Sequence, residues 1–198
     1  MNSPATADEA KPWPHGSRVI ELRTVVILHA TKRAATALGA MPFREGEPSG
    51  TSRLGNWYVN LIEWDGPYFY LFTSERSLLS VVVPADQQNI LHEFVRRVTN
   101  LLSMIGVPNE TIEREYEHFR DMAVATTRNR SVLGSMNDIA WSVMVRLEKG
   151  PHPVSLSMLE LELSEIPMSA IAKKKTDLDY PKDVAREIMG LPRREWVM

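Results

Sequence analysis

The sequence predicts an α+β domain: a mainly antiparallel sheet of about five strands with helices packed on one face. Three observations carry that expectation. Strand-like apolar runs bounded by turn residues crowd the stretch before Pro84. Helical periodicity dominates after it. Between Trp57 and Thr73 an Asp65-Gly66 pair, a favoured two-residue turn, ties two runs into a hairpin.

Taken in order, residues 1–17 contain Pro4, Pro12, Pro14 and Gly16 and read as a flexible leader. A single α+β domain is expected over 18–172, followed by a charged tail with a short helix over 173–198. Arg18 to Ala30 is β-rich around Val25-Val26-Ile27-Leu28. Thr31 is placed to cap a short helix from Lys32 to Leu38, with Gly39 as its left-handed terminator. Pro42 to Arg53 is a loop.

A three-strand meander follows: Trp57 to Trp64, Pro67 to Thr73, and, after a Ser74-Glu75-Arg76 turn, Ser77 to Val83. Leu91, Phe94, Val95, Val98, Leu101, Leu102 and Ile105 recur at three- and four-residue steps, giving one apolar helical stripe that Gly106 ends. A second helix runs from Asn109 to about Asp121, and Met122 to Thr127 is a short strand. A third helix starts at Ser131 and buries Val132, Met136, Ile139, Ala140, Val143 and Leu147. Trp141 falls opposite that stripe, and Gly150-Pro151 ends the helix. Ser155 to Ile166 reads as another helix, although its alternating leucines leave a strand arguable. Lys173-Lys174-Lys175 and a short helix from Pro181 to Met189 lead to Trp196. No internal repeat is evident.

Composition narrows the chemistry. The 198 residues are 43% hydrophobic and 24% charged with a net charge of −2, so no global charge favours nucleic acid or anionic membrane. Absence of cysteine removes disulfides, thiolate nucleophiles and Cys-ligated zinc, and suits a cytoplasmic setting. No secretory signal is present, and runs such as Leu78 to Val83 are too short to span a bilayer, so no membrane is expected. Histidines at 15, 29, 92, 118 and 152 form no short ligand motif. Glu115 and His118 stand three apart on a helix, where a solvated face outweighs a metal site. Walker, GxGxxG, GxSxG and HExxH signatures are all missing. No metal or cofactor is called for, and the balance leans against an enzyme without excluding one.

The remaining signal is Thr126 to Asp138: a strand end, two arginines and the opening of an amphipathic helix. Opening amides of a helix lack internal partners and carry partial positive charge, so Arg128, Asn129, Arg130 and Ser131 suit an anion. The competing account, weighed higher, has Asn129 or Ser131 simply capping the helix. His29, Thr31 and Lys32 repeat the design of strand, hydroxyl, base and helix start. If the two strands lie parallel and close, both openings face one edge. Asn137 borders the buried stripe and joins the candidate set. Taken alone, His29 is more often a packed histidine than a catalytic one.

Three segments together resemble a known family: Leu28 to Arg33, Leu54 to Leu61, and Asn129 to Asp138. The chain is similar to an uncharacterised bacterial domain of unknown function, and more distantly to the leading part of some plasmid-borne open-reading-frame proteins. The likeness covers roughly Val25 to Lys149. It implies a domain boundary and a bacterial or mobile-element setting, and no catalytic residue.

Three function classes follow. The leading one is a non-enzymatic accessory domain that binds an anionic ligand or a protein partner at the paired junctions. The second is an enzyme acting on a phosphate ester or nucleotide, with His29 as acid or base and Arg130 stabilising phosphoryl charge. The third is nucleic-acid binding through the basic junction and Lys173-Lys174-Lys175. Trp196 with Val184 and Ile188 suggests a tail that docks on its own domain or on another subunit.

Overall fold

The computed structural model describes residues 26–42, 52–149, 155–173 and 177–193. The leader, the first part of the Arg18–Ala30 run, the middle of the Pro42–Arg53 loop, the Gly150-Pro151 stop, Lys174, Lys175 and Trp196 lie outside the described residues.

Five strands, β1 (Val26–Ala30), β2 (Trp57–Glu63), β3 (Tyr68–Ser74), β4 (Ser80–Pro84) and β5 (Met122–Thr126), form one sheet in the order β4-β3-β2-β1-β5. The described helices are α1 (Lys32–Ala37), α2 (Ile90–Met104), α3 (Asn109–Tyr116), α4 (Arg130–Lys149), α5 (Leu156–Leu163) and α6 (Pro181–Ile188).

The α+β class holds, but the sheet is mixed rather than mainly antiparallel. β2, β3 and β4 form the expected antiparallel meander, whereas β1 runs parallel to both of its neighbours, β2 and β5. The cause is the connection. After β1 the chain turns through α1 and re-enters β2 from the starting edge, as a parallel pairing requires. All five residues of β1 are buried, the pattern of a strand covered on both faces.

Helices also cover both faces, not one. Alternation along the strands sends Trp57, Val59, Tyr70, Phe72, Val81 and Val83 to a face covered by α2, with α1 and α6 contributing Ala34, Ala35, Ala185 and Met189. Tyr58, Ile62, Leu71 and Val82 point the other way, against Val132, Met136, Ile139 and Val143 of α4 and Leu159 and Leu163 of α5. An aromatic cluster anchors the first face: Phe72 stacks on Phe94 at 4.2 Å, and Trp57 meets Phe94 edge-on at 5.1 Å.

The Asp65-Gly66 turn has φ of 48° and 95° at its two central residues, the mirror-image geometry that suits the sheet's twist. Asn89 caps α2 through a bond from the His92 amide, and Ser155 caps α5 through one from Met158. The leucine-rich segment resolves as a helix because Leu159 and Leu163, four apart, share the buried side.

Buried acids pin this frame in two places. Glu115 of α3 faces inward, only 2% exposed, and accepts from the Ser52 hydroxyl, the Arg53 amide at 3.1 Å and the Leu54 amide at 3.3 Å. It clamps the segment leading into β2 and is not part of a solvated face. Glu160 of α5 is fully buried at the β4 edge. Its Oε1 accepts from the Val82 amide and from Arg97 Nη1, both at 2.9 Å, while Oε2 has no partner. Arg97 Nε lies 2.9 Å from Glu93 Oε1, off the hydrogen-bonding direction. A carboxylate on the outward amide of an edge strand occupies the place where a further strand would pair.

Candidate functional site

β1 and β5 are adjacent, parallel and in register, with His29 opposite Ala125 and Ala30 opposite Thr126. Both strands therefore end at the same edge of the sheet, about 4.8 Å apart. The chain leaves β1 through Thr31 into α1 and leaves β5 through Thr127 to Asn129 into α4. The two helices then diverge, α1 to one face and α4 to the other.

At this edge the polar groups divide into those used inside the protein and those presented outward. The Asn129 carbonyl oxygen, Oδ1, accepts from the Ser131 amide at 3.0 Å and the Val132 amide at 3.3 Å, so it caps α4. Thr31 Oγ1 accepts from the Ala34 amide at 3.3 Å and donates to Asn60 Oδ1 at 3.1 Å. These opening amides are thus already occupied. At the surface of this edge Lys32, Arg128, Arg130, Ser131 and Asn137 are all exposed. Among the described residues Lys32 and Arg130 form no ion pair, whereas Arg33 pairs with Glu63 at 3.0 Å. Asn137 projects from the outward side of α4, away from the buried stripe.

His29 lies beneath the edge. It is 3% exposed, its ring tilts against Tyr58 at 4.9 Å, and Nδ1 sits 2.9 Å from the Thr126 carbonyl. A carbonyl only accepts, so Nδ1 carries the proton. Tyr58, one strand across in the same row, accepts from the Asn129 amide at 3.0 Å through its hydroxyl. Burial pushes the Tyr58 phenol above its ordinary pKa, against the pull of the Asn129 amide. His29 and Tyr58 therefore hold the turn that presents Arg128 and Arg130. In β2, Trp57 and Tyr58 are core residues, and Asn60 serves the Thr31 cap.

Among the described residues no group of three His, Asp or Glu side chains is arranged to hold a metal ion. No described helix is long and apolar enough to cross a membrane. Lys173 is engaged with Glu187 at 2.6 Å.

Compared with known families, residues 27–184 match the model for Domain of unknown function (DUF6933). The chain belongs to this family. The DUF6933 match takes in β2 to β5, all of β1 but Val26, both junctions, and the segment from α5 into α6, well beyond Lys149. No curated protein matches the chain.

Sequence reasoning missed Tyr58 as the support of the α4 turn, and it missed both inward acids. Glu160 had a visible signal, a lone acid between Leu159 and Leu161 at a position that a helical stripe carries inward. Glu115 had none, because its partners come from a loop more than sixty residues away.

Proposed function

We propose that this DUF6933 domain is a non-enzymatic accessory module that holds an anionic group, carried by a small ligand or a protein partner, at the common edge of β1 and β5. The observation that carries the proposal is the in-register parallel pairing of those strands, which aligns the Lys32 and Arg130 junctions along one rim. Two exposed cations, Lys32 and Arg130, without an ion-pair partner among the described residues raise the local potential where the global charge of −2 does not. The exposed Ser131 hydroxyl and Asn137 amide add donors on α4. A binding role is favoured over a catalytic one by the state of His29, whose ring is enclosed and whose Nδ1 is committed to Thr126.

The test is titration of pyrophosphate and of an oligoglutamate peptide into the wild type and a Lys32→Gln/Arg130→Gln variant, alongside thermal melting of both. Binding of one probe that weakens at least roughly tenfold in the variant, with melting temperature held, supports the site. Equal loss of binding and stability assigns these side chains to structure. Wild-type protein that binds neither probe ends the proposal.

A further inference from the structure

The outward face of α4 carries two residues, Gly134 and Trp141, that the described part of the chain does not cover. Inward, Val132, Met136, Ile139 and Val143 are buried against the sheet. On the opposite side, Arg130, Gly134, Asn137, Asp138, Trp141 and Glu148 are exposed. At ~100° per residue, Gly134 and Trp141 fall within about 20° of each other on the centre line of that face, two turns apart. Trp141 leaves 66% of its surface exposed. A Cβ added at Gly134 meets nothing within 4 Å, so no contact among the described residues calls for glycine there. Glycine weakens a helix interior, and two-thirds of the Trp141 surface faces solvent on the same side. A projecting ring and a notch seven residues apart on one helix match each other across a two-fold axis.

We infer that this face is a self-association surface on which α4 packs antiparallel against α4 of a second copy, each Trp141 seated over the partner's Gly134. Charge selects this occupant and this direction. The face is basic at its opening, at Arg130, and acidic at its far end, at Glu148, while Asp138 lies near the middle and meets its own copy in either direction. A parallel neighbour sets like charges against like. An antiparallel copy centred between Asn137 and Asp138 brings Arg130 toward the partner's Glu148 and beside the partner's Trp141, where the guanidinium and the indole face attract. The contact is isologous: each chain supplies one ring and one notch. It shares Arg130 and Asn137 with the anion site proposed at the β1/β5 rim.

Sedimentation equilibrium of the full chain reads the outcome directly. At micromolar concentration the wild type is expected at twice its 22.5 kDa chain mass. Gly134→Leu fills the notch, has open space in the monomer and favours helix, so it keeps the fold. It is expected to weaken association at least roughly tenfold, as is Trp141→Ala. Glu148→Arg weakens it as well, and adding Arg130→Glu restores it. Circular dichroism of each variant verifies the fold. A wild type that stays monomeric, or a Gly134→Leu protein that associates as tightly as the wild type, overturns the inference. Gly134→Leu leaves Lys32 and Arg130 in place, so loss of self-association and loss of anion binding are separable.

Discussion

Replacing Glu160 with glutamine is expected to stabilise the protein above neutral pH and to leave it unchanged in mild acid. The carboxyl group is fully buried, with Oε1 on the Val82 amide and Arg97 and with Oε2 unpartnered. Burial outweighs the Arg97 guanidinium and pushes its pKa up from 4.5 to about 7. The folded chain therefore binds this proton more tightly than the unfolded chain. Its stabilising contribution is fully present below about pH 4.5 and is lost as pH rises through about 7. At ~1.36 kcal/mol per pKa unit, the span amounts to about 3 kcal/mol, or roughly 6–12 °C in melting temperature for a domain of this size. Glutamine keeps an acceptor toward Val82 and Arg97 without the buried charge, so it mimics the protonated acid. Urea unfolding of both proteins between about pH 5 and pH 8 gives two stability curves. Subtracting them cancels the other carboxylates, among them Glu93, held below its ordinary pKa by Arg96, and Glu187, held down by Lys173. The difference should open by about 3 kcal/mol in favour of glutamine toward the alkaline end. Parallel curves refute the reasoning. Alanine at the same place has the opposite effect, costing roughly 3–5 kcal/mol, because it strands both the Val82 amide and Arg97.

Two further perturbations test the clamp on the frame and the support of the α4 turn. Glu115→Ala removes the acceptor for Ser52, Arg53 and Leu54 and should cost about 3 kcal/mol in urea unfolding; a loss below about 1 kcal/mol contradicts the clamp. Tyr58→Phe leaves the Asn129 amide without its acceptor and should cost about 1 kcal/mol, with faster hydrogen exchange at that amide; unchanged exchange means the bond does not hold the turn.

Local rules read well from the sequence where one residue type decides the geometry. The seven apolar positions from Leu91 to Ile105 specify α2, and Asp65-Gly66 specifies the β2–β3 hairpin because both residues tolerate positive φ. Strand direction did not read. Val26 to Leu28 is equally apolar whether β1 lies parallel or antiparallel to its neighbours, and only the return path through α1 decides. Helix placement on two faces follows from that path, so the one-face expectation failed with it. At the candidate edge, the residue types at both junctions were legible, and so was the condition that parallel strands would align them. What each polar atom does was not. Whether Asn129 faces a ligand or its own helix depends on a rotamer, and whether Glu160 is solvated depends on how α5 meets β4.

Because β1 lies between β2 and β5, the sheet cannot be completed in the order in which the chain is made. The meander through Pro84 becomes available early, built from hairpins whose partners are close in sequence. The last ladder joins Val26–Ala30 to Met122–Thr126 and must wait for a segment nearly a hundred residues downstream. A nascent chain halted before that point exposes one flank of an apolar strand, which makes the early half the part most dependent on prompt elongation or on chaperones.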